Sequence, residues 1–343
     1  MNPQFQLPTP MSDRIPIVIV AGYLGAGKTT FLREIIPQLV GSSLVPFVIL
    51  NDFAGAEVDA ALLRKVAPQV DALSGGCICC DSSISLIENL GKIPTEISAI
   101  VFIEANGTTD PFPLIELLTL DTALIKRFGP VYQITVINES RWQKRLFGWD
   151  KKIERAQAAT ASHLLTNRSE KASLKQQLRV KTDLQSSNPH AIRTTAAGFI
   201  AEILAISSDS AAALNPAEPI GHAHHHLALR LDLPPMREDI LVRWLLSFPP
   251  EVLRIKGVTR LIDDPTDDAC FFQRTDDEWG NPSIIKTFMP EGVEPCAVFI
   301  GNGMNETKIR NSVGNFLYQS VEAVPSASNE IPSIGNFLAN RCK

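Results

Sequence analysis

Short runs rich in Val and Ile recur along the first half of the chain: Ile15 to Val20, Val45 to Leu50, Ile97 to Ile103, Val131 to Ile137, and the shorter His163 to Thr166. Each is continuous and apolar, and helix-like segments lie between them. Strands buried on both faces read this way, so the alternation predicts crossover units around a mostly parallel sheet with helices on both sides. After the first strand, Phe31, Leu32, Ile35, Ile36 and Leu39 fall at helical spacing with Pro37 near the end of the set. They predict an amphipathic helix packed on the sheet. The pattern continues through Ala191 to Ile206 and breaks in Ser, Asp, Ala, Asn and Pro from Ser207 to Pro219, which reads as a linker.

Beyond the break the order changes. An apolar alternation from Leu227 to Leu231 is followed by a helix from about Met236 to Leu246 with Ile240, Leu241, Trp244 and Leu245 on one face. Strands are expected over Leu253 to Leu261, Ala269 to Gln273, Ser283 to Phe288 and Ala297 to Ile300, then a helix over Asn305 to Tyr318. Strand, helix, several strands, helix is the order of a small α+β domain. No internal repeat interrupts it.

Composition narrows the function classes. With 343 residues, 45% of them hydrophobic and 20% charged, the chain has material for two packed domains and little disorder. A formal net charge of -5, without a local Lys/Arg run, argues against nucleic acid as a partner. Met1 to Arg14 has prolines and polar residues where an export signal needs a basic start and an apolar stretch. The apolar run Ile15 to Ala21 is far short of the roughly 20 residues that cross a bilayer. A cytoplasmic protein without a membrane partner is expected. Of six cysteines, Cys77, Cys79 and Cys80 crowd together while Cys270, Cys296 and Cys342 are scattered. Bridging such close neighbours would be strained, so the group suits metal binding in a reducing compartment.

Gly22-Tyr23-Leu24-Gly25-Ala26-Gly27-Lys28-Thr29 matches G-x-x-x-x-G-K-[ST] between an expected strand and an expected helix. Glycines let the backbone curl around phosphate oxygens and the helix N-terminus adds its positive end. Lys28 is expected to reach the β- and γ-phosphates and the Thr29 hydroxyl to ligate Mg²⁺. Gly22, Gly25, Ala26, Gly27, Lys28, Thr29 and Thr30 are the expected nucleotide-binding residues here. Glu104, in Ile103-Glu104-Ala105-Asn106-Gly107, ends a strand where a phosphate-loop enzyme senses the γ-phosphate. Asn51-Asp52 ends the second strand on the same carboxyl edge, where open parallel sheets take their ligands. Asp52 is a candidate for Mg²⁺, for the attacking water, or for a second metal. Lys28, Asp52 and Glu104 form the expected catalytic set.

Together these residues resemble the CobW-type metallochaperone GTPases, phosphate-loop relatives of the nickel-inserting GTPases of urease and hydrogenase maturation. The resemblance rests on Gly22 to Thr30, Asn51-Asp52-Phe53, Gly76-Cys77-Ile78-Cys79-Cys80 and Glu104 to Gly107 with Asp110-Pro111. It continues in Leu253-Arg254-Ile255-Lys256-Gly257 and Val298-Phe299-Ile300-Gly301, in the family's order and over nearly the whole chain. The C-x-C-C element sets this family apart from ordinary phosphate-loop GTPases. Two departures stand out: Asp52 where the family usually has Glu, and Ala54 where a glycine normally follows the Phe. The resemblance also implies that Asn167-Arg168-Ser169-Glu170 stands in for the guanine-reading N-K-x-D, with Asn167 and Glu170 on the base. Glu170 can accept the same pair of hydrogen bonds if its loop shifts by about one methylene, and the Arg168 stem can cover the ring. GTP is the expected nucleotide, with ATP or relaxed use as the alternative.

The implied organisation is a flexible N-terminus (1–14), a CobW-like GTPase domain (15–206), a linker with a histidine cluster (207–226) and a CobW C-terminal-like α+β domain (227–343). Three thiolates from Cys77, Cys79 and Cys80 can converge on a transition metal, zinc by default and cobalt or nickel otherwise. A fourth position remains for Asp52, a water or a client ligand, which suits transfer. His222, His224, His225 and His226 resemble the histidine-rich stretches of family members and would capture metal for passage inward. His163 and His190 stand alone and read as structural. Arg254 and Lys256, on an expected strand, would dock clients or close over the nucleotide.

The resulting expectation is a GTP-dependent chaperone that hydrolyses GTP with Mg²⁺ and delivers zinc to a client metalloprotein or a metal-cofactor assembly enzyme. A nucleotide- or metal-dependent dimer accompanies it. The rivals are a non-hydrolysing metal store or sensor and a small-molecule kinase; the latter leaves the cysteines idle.

Overall fold

The computed structural model describes residues 14–40, 44–51, 60–61, 63–64, 69–72, 83–94, 98–144, 148–212, 228–249, 251–263, 269–275, 282–287, 294–301 and 303–322. Strands β1 (Ile15–Ala21), β2 (Val45–Leu50), β3 (Val70–Ala72), β4 (Ala99–Glu104), β5 (Phe128–Asn138), β6 (His163–Asn167) and β7 (Ile192–Arg193) form a sheet in the order β3-β2-β4-β1-β5-β6-β7. Every neighbouring pair is parallel. Helices α1 (Lys28–Val40), α2 (Ser83–Gly91), α3 (Pro111–Leu120), α4 (Thr122–Arg127), α5 (Gly148–Ala159), α6 (Leu174–Ser187) and α7 (Ala196–Ala212) lie between the strands or after the last of them.

The central strand shows why the apolar runs are continuous. Ile17, Val18, Ile19 and Val20 are all fully buried. Successive strand residues point to opposite faces. Val18 and Val20 therefore join the core made by Phe31, Leu32, Ile35, Ile36 and Leu39 of α1 with Phe199, Ile200 and Ile203 of α7. Ile17 and Ile19 join the other core, with Leu86 and Leu90 of α2 and Leu114, Ile115 and Leu118 of α3.

Some boundaries and two short strands differ from the sequence expectation. The break expected at Ser207 is helical, because α7 runs to Ala212. Ser and Asp are only weakly unfavourable in a helix, and the alanines among them favour it. Strand β5 begins at Phe128 rather than Val131, since Gly129 and Pro130 interrupt the apolar run without ending the ladder on β1. Strands β3 and β7 are too short for a periodic signal.

A second sheet follows: β8 (Ala228–Asp232), β9 (Val252–Arg260), β10 (Ala269–Thr275), β11 (Ser283–Thr287) and β12 (Cys296–Gly301), antiparallel in the order β11-β10-β9-β12-β8. With α8 (Glu238–Leu246) and α9 (Glu306–Glu322) it makes the small α+β unit that the element order predicts. One face packs on these helices through Leu241, Trp244, Ile255, Phe272 and Phe299. Trp244, Phe248 and Phe299 meet edge to face at centroid separations of 5.0 to 5.7 Å. Among the described residues, no helix is long and apolar enough to cross a membrane.

The opposite face of the second sheet lies on the first domain. Val298 and Ile300 complete the core that contains α3. Glu116, a buried acid on α3, is gripped by two cations of β9: Arg254 Nε stands 2.8 Å from Oε1 and Lys256 Nζ donates to Oε2 at 2.8 Å. The Arg254 guanidinium lies 5.3 Å from the centre of the Phe112 ring, and Arg230 Nη1 donates to Leu120 O at 3.0 Å. Arg254 and Lys256, expected to meet clients or nucleotide, thus hold the helix that follows the Glu104 loop. Replacing Glu116 by Ala leaves Arg254, whose side chain is 16% exposed, without its acid. Urea titration should show a loss of about 3 kcal/mol, the low end for breaking a buried pair because Lys256 keeps access to water.

Candidate nucleotide and metal site

Backbone pairing sets the strand ends level. Val20 is opposite Glu104, Glu104 is opposite Leu50, and Leu50 is opposite Ala72. Beyond the ladder, Asn51 N donates to Glu104 O at 3.1 Å and Ala105 N donates to Val20 O at 3.0 Å. The chain therefore leaves β1, β2, β3 and β4 at one edge, into the segments beginning at Gly22, Asn51, Leu73 and Ala105.

The first of these curls back into α1. Gly22, Gly25 and Gly27 have φ of 141°, 72° and 110°, values that L side chains adopt rarely. The loop carbonyls are engaged: Lys28 Nζ donates to Gly22 O (3.0 Å), Ala26 N to Tyr23 O (2.9 Å), Asn138 Nδ2 to Gly25 O (3.4 Å) and Asn167 Nδ2 to Ala26 O (2.9 Å). Carbonyls tied in this way are not left facing an anion, and the α1 N-terminus supplies amide donors for one. Lys28 is buried at 8% exposure.

Thr29 Oγ1, on the first turn of α1, donates to Glu104 Oε1 at 2.9 Å. The structure thus brings together two residues singled out in the sequence, Thr29 and Glu104, and folds the Lys28 amine back on the phosphate loop. A hydroxyl and a carboxylate converging beside a phosphate-type loop are hard oxygen donors, and they fit Mg²⁺. The following loop is folded on Asn106, whose Oδ1 accepts from Thr108 N and Thr108 Oγ1, both at 3.0 Å. Gly107 lies against the phosphate loop: a Cβ there would stand 2.5 Å from Leu24 N and 2.9 Å from Leu24 Cα. Asp110 then caps α3 by accepting from Phe112 N at 3.1 Å, and burial pushes its carboxyl pKa up.

The expected base-reading segment follows β6. Asn167 ties it to the phosphate loop, and a Cβ on Gly27 would fall 2.4 Å from Asn167 Nδ2. Arg168 is left-handed (φ 59°), with its N–H donating to Asn167 Oδ1 at 2.8 Å, and Ser169–Lys171 form a single 3₁₀ turn. Glu170 is exposed on that turn. Gln177 of α6 fixes the turn by donating to Ser169 O at 2.8 Å.

Asp52, Cys77, Cys79 and Cys80, together with His222, His224, His225 and His226, lie outside the described residues. His163 is buried, between Ser162 Oγ (2.9 Å from Nδ1) and Glu202 Oε2 (3.0 Å from Nε2). His190 packs against Gly303 of the second domain. Cys270 and Cys296 are buried free thiols, and burial pushes both pKa values up, that of Cys270 to about 11. Sequence reasoning passed over Asn138, although the rule that selected Asn51, a polar residue ending a strand on the carboxyl edge, applies to it as well.

A parallel sheet whose central strand feeds a glycine-rich loop and a helix, with Thr29 on that helix meeting Glu104 of the neighbouring strand, defines a phosphate-loop nucleotide-binding protein. Residues 16–194 match the model of the CobW/HypB/UreG nucleotide-binding domain, and the chain belongs to that family. It is 36% identical to the zinc chaperone YjiA of Escherichia coli (strain K12) over 121 residues, which are 33% of this chain and 37% of that protein. It is 29% identical to the zinc-regulated GTPase metalloprotein activator 1 of Dictyostelium discoideum over 123 residues, 32% of this chain and 26% of that protein. The chain thus spans about a third of the length of these curated relatives. A longer match, at 21% identity over 304 residues, covers 76% of this chain and 80% of the zinc chaperone CobW of Pseudomonas aeruginosa. Among solved structures, Zn(II)-bound YjiA GTPase from E. coli is 19% identical, with a TM-score of 0.41, over 88% of this chain and 99% of that one.

Two outcomes follow from this geometry. Gly107→Ala forces its methyl against the Leu24 backbone. Titration with a fluorescent guanine nucleotide should show binding weakened by about tenfold or more, the scale of an overpacked contact transmitted to the loop. For Cys270 the folded pKa of about 11 lies above the ordinary value of 9.0, so its stabilising contribution is complete below pH 9 and is lost as pH rises to about 11. A Cys270→Ala variant should therefore show a flatter decline of Tm over that interval.

Proposed function

We propose that this chain binds and hydrolyses GTP and that nucleotide turnover drives transfer of a transition-metal cargo, with zinc the expected ion, to a client metalloprotein or cofactor-assembly enzyme. The observation that carries the reading is the level ending of β4, β2 and β3. The strand bearing Glu104, the strand leading to Asp52 and the strand leading to the three cysteines finish in register, Glu104 with Leu50 and Leu50 with Ala72. A change at the phosphate edge therefore begins next to the strand from which the chain departs toward the thiols.

In this reading the phosphate loop grips the triphosphate through backbone N–H groups and Lys28, which neutralises developing charge. Thr29 and Glu104 would hold Mg²⁺, which supplies charge compensation on the phosphate oxygens. Asp52 acts on the attacking water or on the cargo metal. Asn167 braces the loop that reads the base, and Glu170 is the guanine acceptor. Cys77, Cys79 and Cys80 hold the cargo, and His222, His224, His225 and His226 deliver it to them. The names of the relatives, zinc chaperones and zinc-regulated GTPase activators, support zinc as the cargo. Leu174 and Leu178, exposed at adjoining turns of α6 just past the base turn, support a nucleotide-dependent dimer.

Phosphate release tests turnover: Lys28→Ala should lower kcat by about 100-fold or more, as removal of a transition-state donor does. Coupling is tested by titrating Zn²⁺ with and without a non-hydrolysable GTP analogue. Affinity should differ by about tenfold between the two, and Zn²⁺ should change nucleotide affinity by the same factor. Equal Zn²⁺ affinity in both conditions, with normal phosphate release, would leave a hydrolase whose turnover is uncoupled from metal binding. Metal binding without phosphate release would leave a store or sensor. Glu170→Asp should raise the preference for GTP over ATP.

A further inference from the structure

Helix α5 carries Gln157, 1% exposed, whose side chain spans to the loop after Glu104. Its Nε2 donates to Gly107 O at 3.2 Å and to Thr109 O at 3.0 Å. Its backbone oxygen accepts from Gln133 Nε2 at 2.8 Å and from Thr135 Oγ1 at 2.7 Å, both fully buried on β5. Gln133 and Thr160 also exchange hydrogen bonds in this network. The main chain of α5 is thus bolted to β5, and the Gln157 carboxamide carries that rigidity to the loop.

The same carboxamide is incompletely satisfied. Gln157 Oε1 is buried and accepts no hydrogen bond from the described residues. Gln157 lines a narrow crevice, with about 10 Å³ of open volume, together with Tyr23, Leu24, Asn138, Trp142 and Glu154, against the phosphate loop. A buried unpaired acceptor is costly, and a side chain needed only for packing would serve better if apolar. What the amide gains is its hold on two carbonyls of one short loop, and one of these belongs to Gly107, the residue pressed against Leu24.

We propose that Gln157 is the positioning residue of the phosphate-sensing loop, fixing Gly107 to Thr109 and, through them, the placement of Glu104 and of the Leu24 side of the phosphate loop. The proposal rests on the reading that this loop senses nucleotide. A positioning role affects the step that needs alignment more than it affects ground-state binding, which the phosphate-loop backbone supplies.

The test uses the full chain with Gln157→Met, which keeps volume but no donor, and Gln157→Glu. Burial keeps the Glu carboxyl neutral, so it retains one donor of the two. Thr135→Val is the control, because it removes one of the two hydrogen bonds to the Gln157 main chain and leaves the Gln133 anchor and both carboxamide bonds to the loop in place. Hydrogen exchange of the peptide spanning 105–110 and steady-state GTP hydrolysis are both measured. Exchange should be about tenfold faster in Gln157→Met, intermediate in Gln157→Glu and near wild type in Thr135→Val. The kcat for GTP should fall about tenfold in Gln157→Met while KM stays within about threefold. Unchanged exchange, or faster exchange with unchanged kcat, overturns the proposal. If Gln157→Met does not fold, the exchange and kcat of Gln157→Glu decide between the same two outcomes, intermediate values supporting the role and wild-type values overturning it. Wild-type protein that releases no phosphate overturns the proposed function instead, and the proposal then falls with the activity it is meant to position even where the exchange data show the clamp itself.

Discussion

A sheet of parallel strands, covered on both faces, can send its chain out toward ligands only at its ends, and here backbone pairing sets four of those ends flush. Val20, Glu104, Leu50 and Ala72 stand in one row of hydrogen-bonded partners. Everything chemical in the first domain depends on that row. It sets the Glu104 carboxylate beside the Thr29 hydroxyl, brings Asn51 against the backbone of Glu104, and gives the chain toward the cysteines its point of departure. A slip of one residue in β4 would turn Glu104 to the other face of the sheet and separate it from α1.

The parts of this arrangement written in local pattern were legible from residues alone. The buried strands announced themselves as unbroken Val and Ile runs, and the phosphate loop as a spaced set of glycines before Lys28 and Thr29. What the sequence hid depends on distant partners. Gln133, Thr135, Gln157 and Thr160 are scattered polar residues along the chain and become one buried network only when α5 packs on β5. Arg254 and Lys256 looked like free surface cations because their acid, Glu116, is far away in sequence. Helix α3 was also readable in principle. Its segment Pro111 to Leu120 is apolar nearly all round, the mark of a helix buried on more than one side.

That burial joins the two domains. Leu114, Ile115 and Leu118 share one core with the first sheet and with Val298 and Ile300 of the second, while Glu116 is held from β9. Because Asp110, directly after the Glu104 loop, caps α3, the loop is braced from two directions: by the Gln157 amide on one side and by a helix clasped by the second sheet on the other. Stiff elements with few alternative packings are what a small displacement at a phosphate needs if it is to be felt at a distance.

Helix α3 also bears on how the chain can be cut. Dividing it into separately produced halves at the end of α7 would strip the second sheet from α3 and expose Leu114, Ile115 and Leu118 on one piece and Val298 and Ile300 on the other. Each half would carry a sticky apolar scar and unmatched charges at Glu116 or Arg254. The boundary between the two units marks a change of architecture, and it is not a place where the polypeptide separates cleanly.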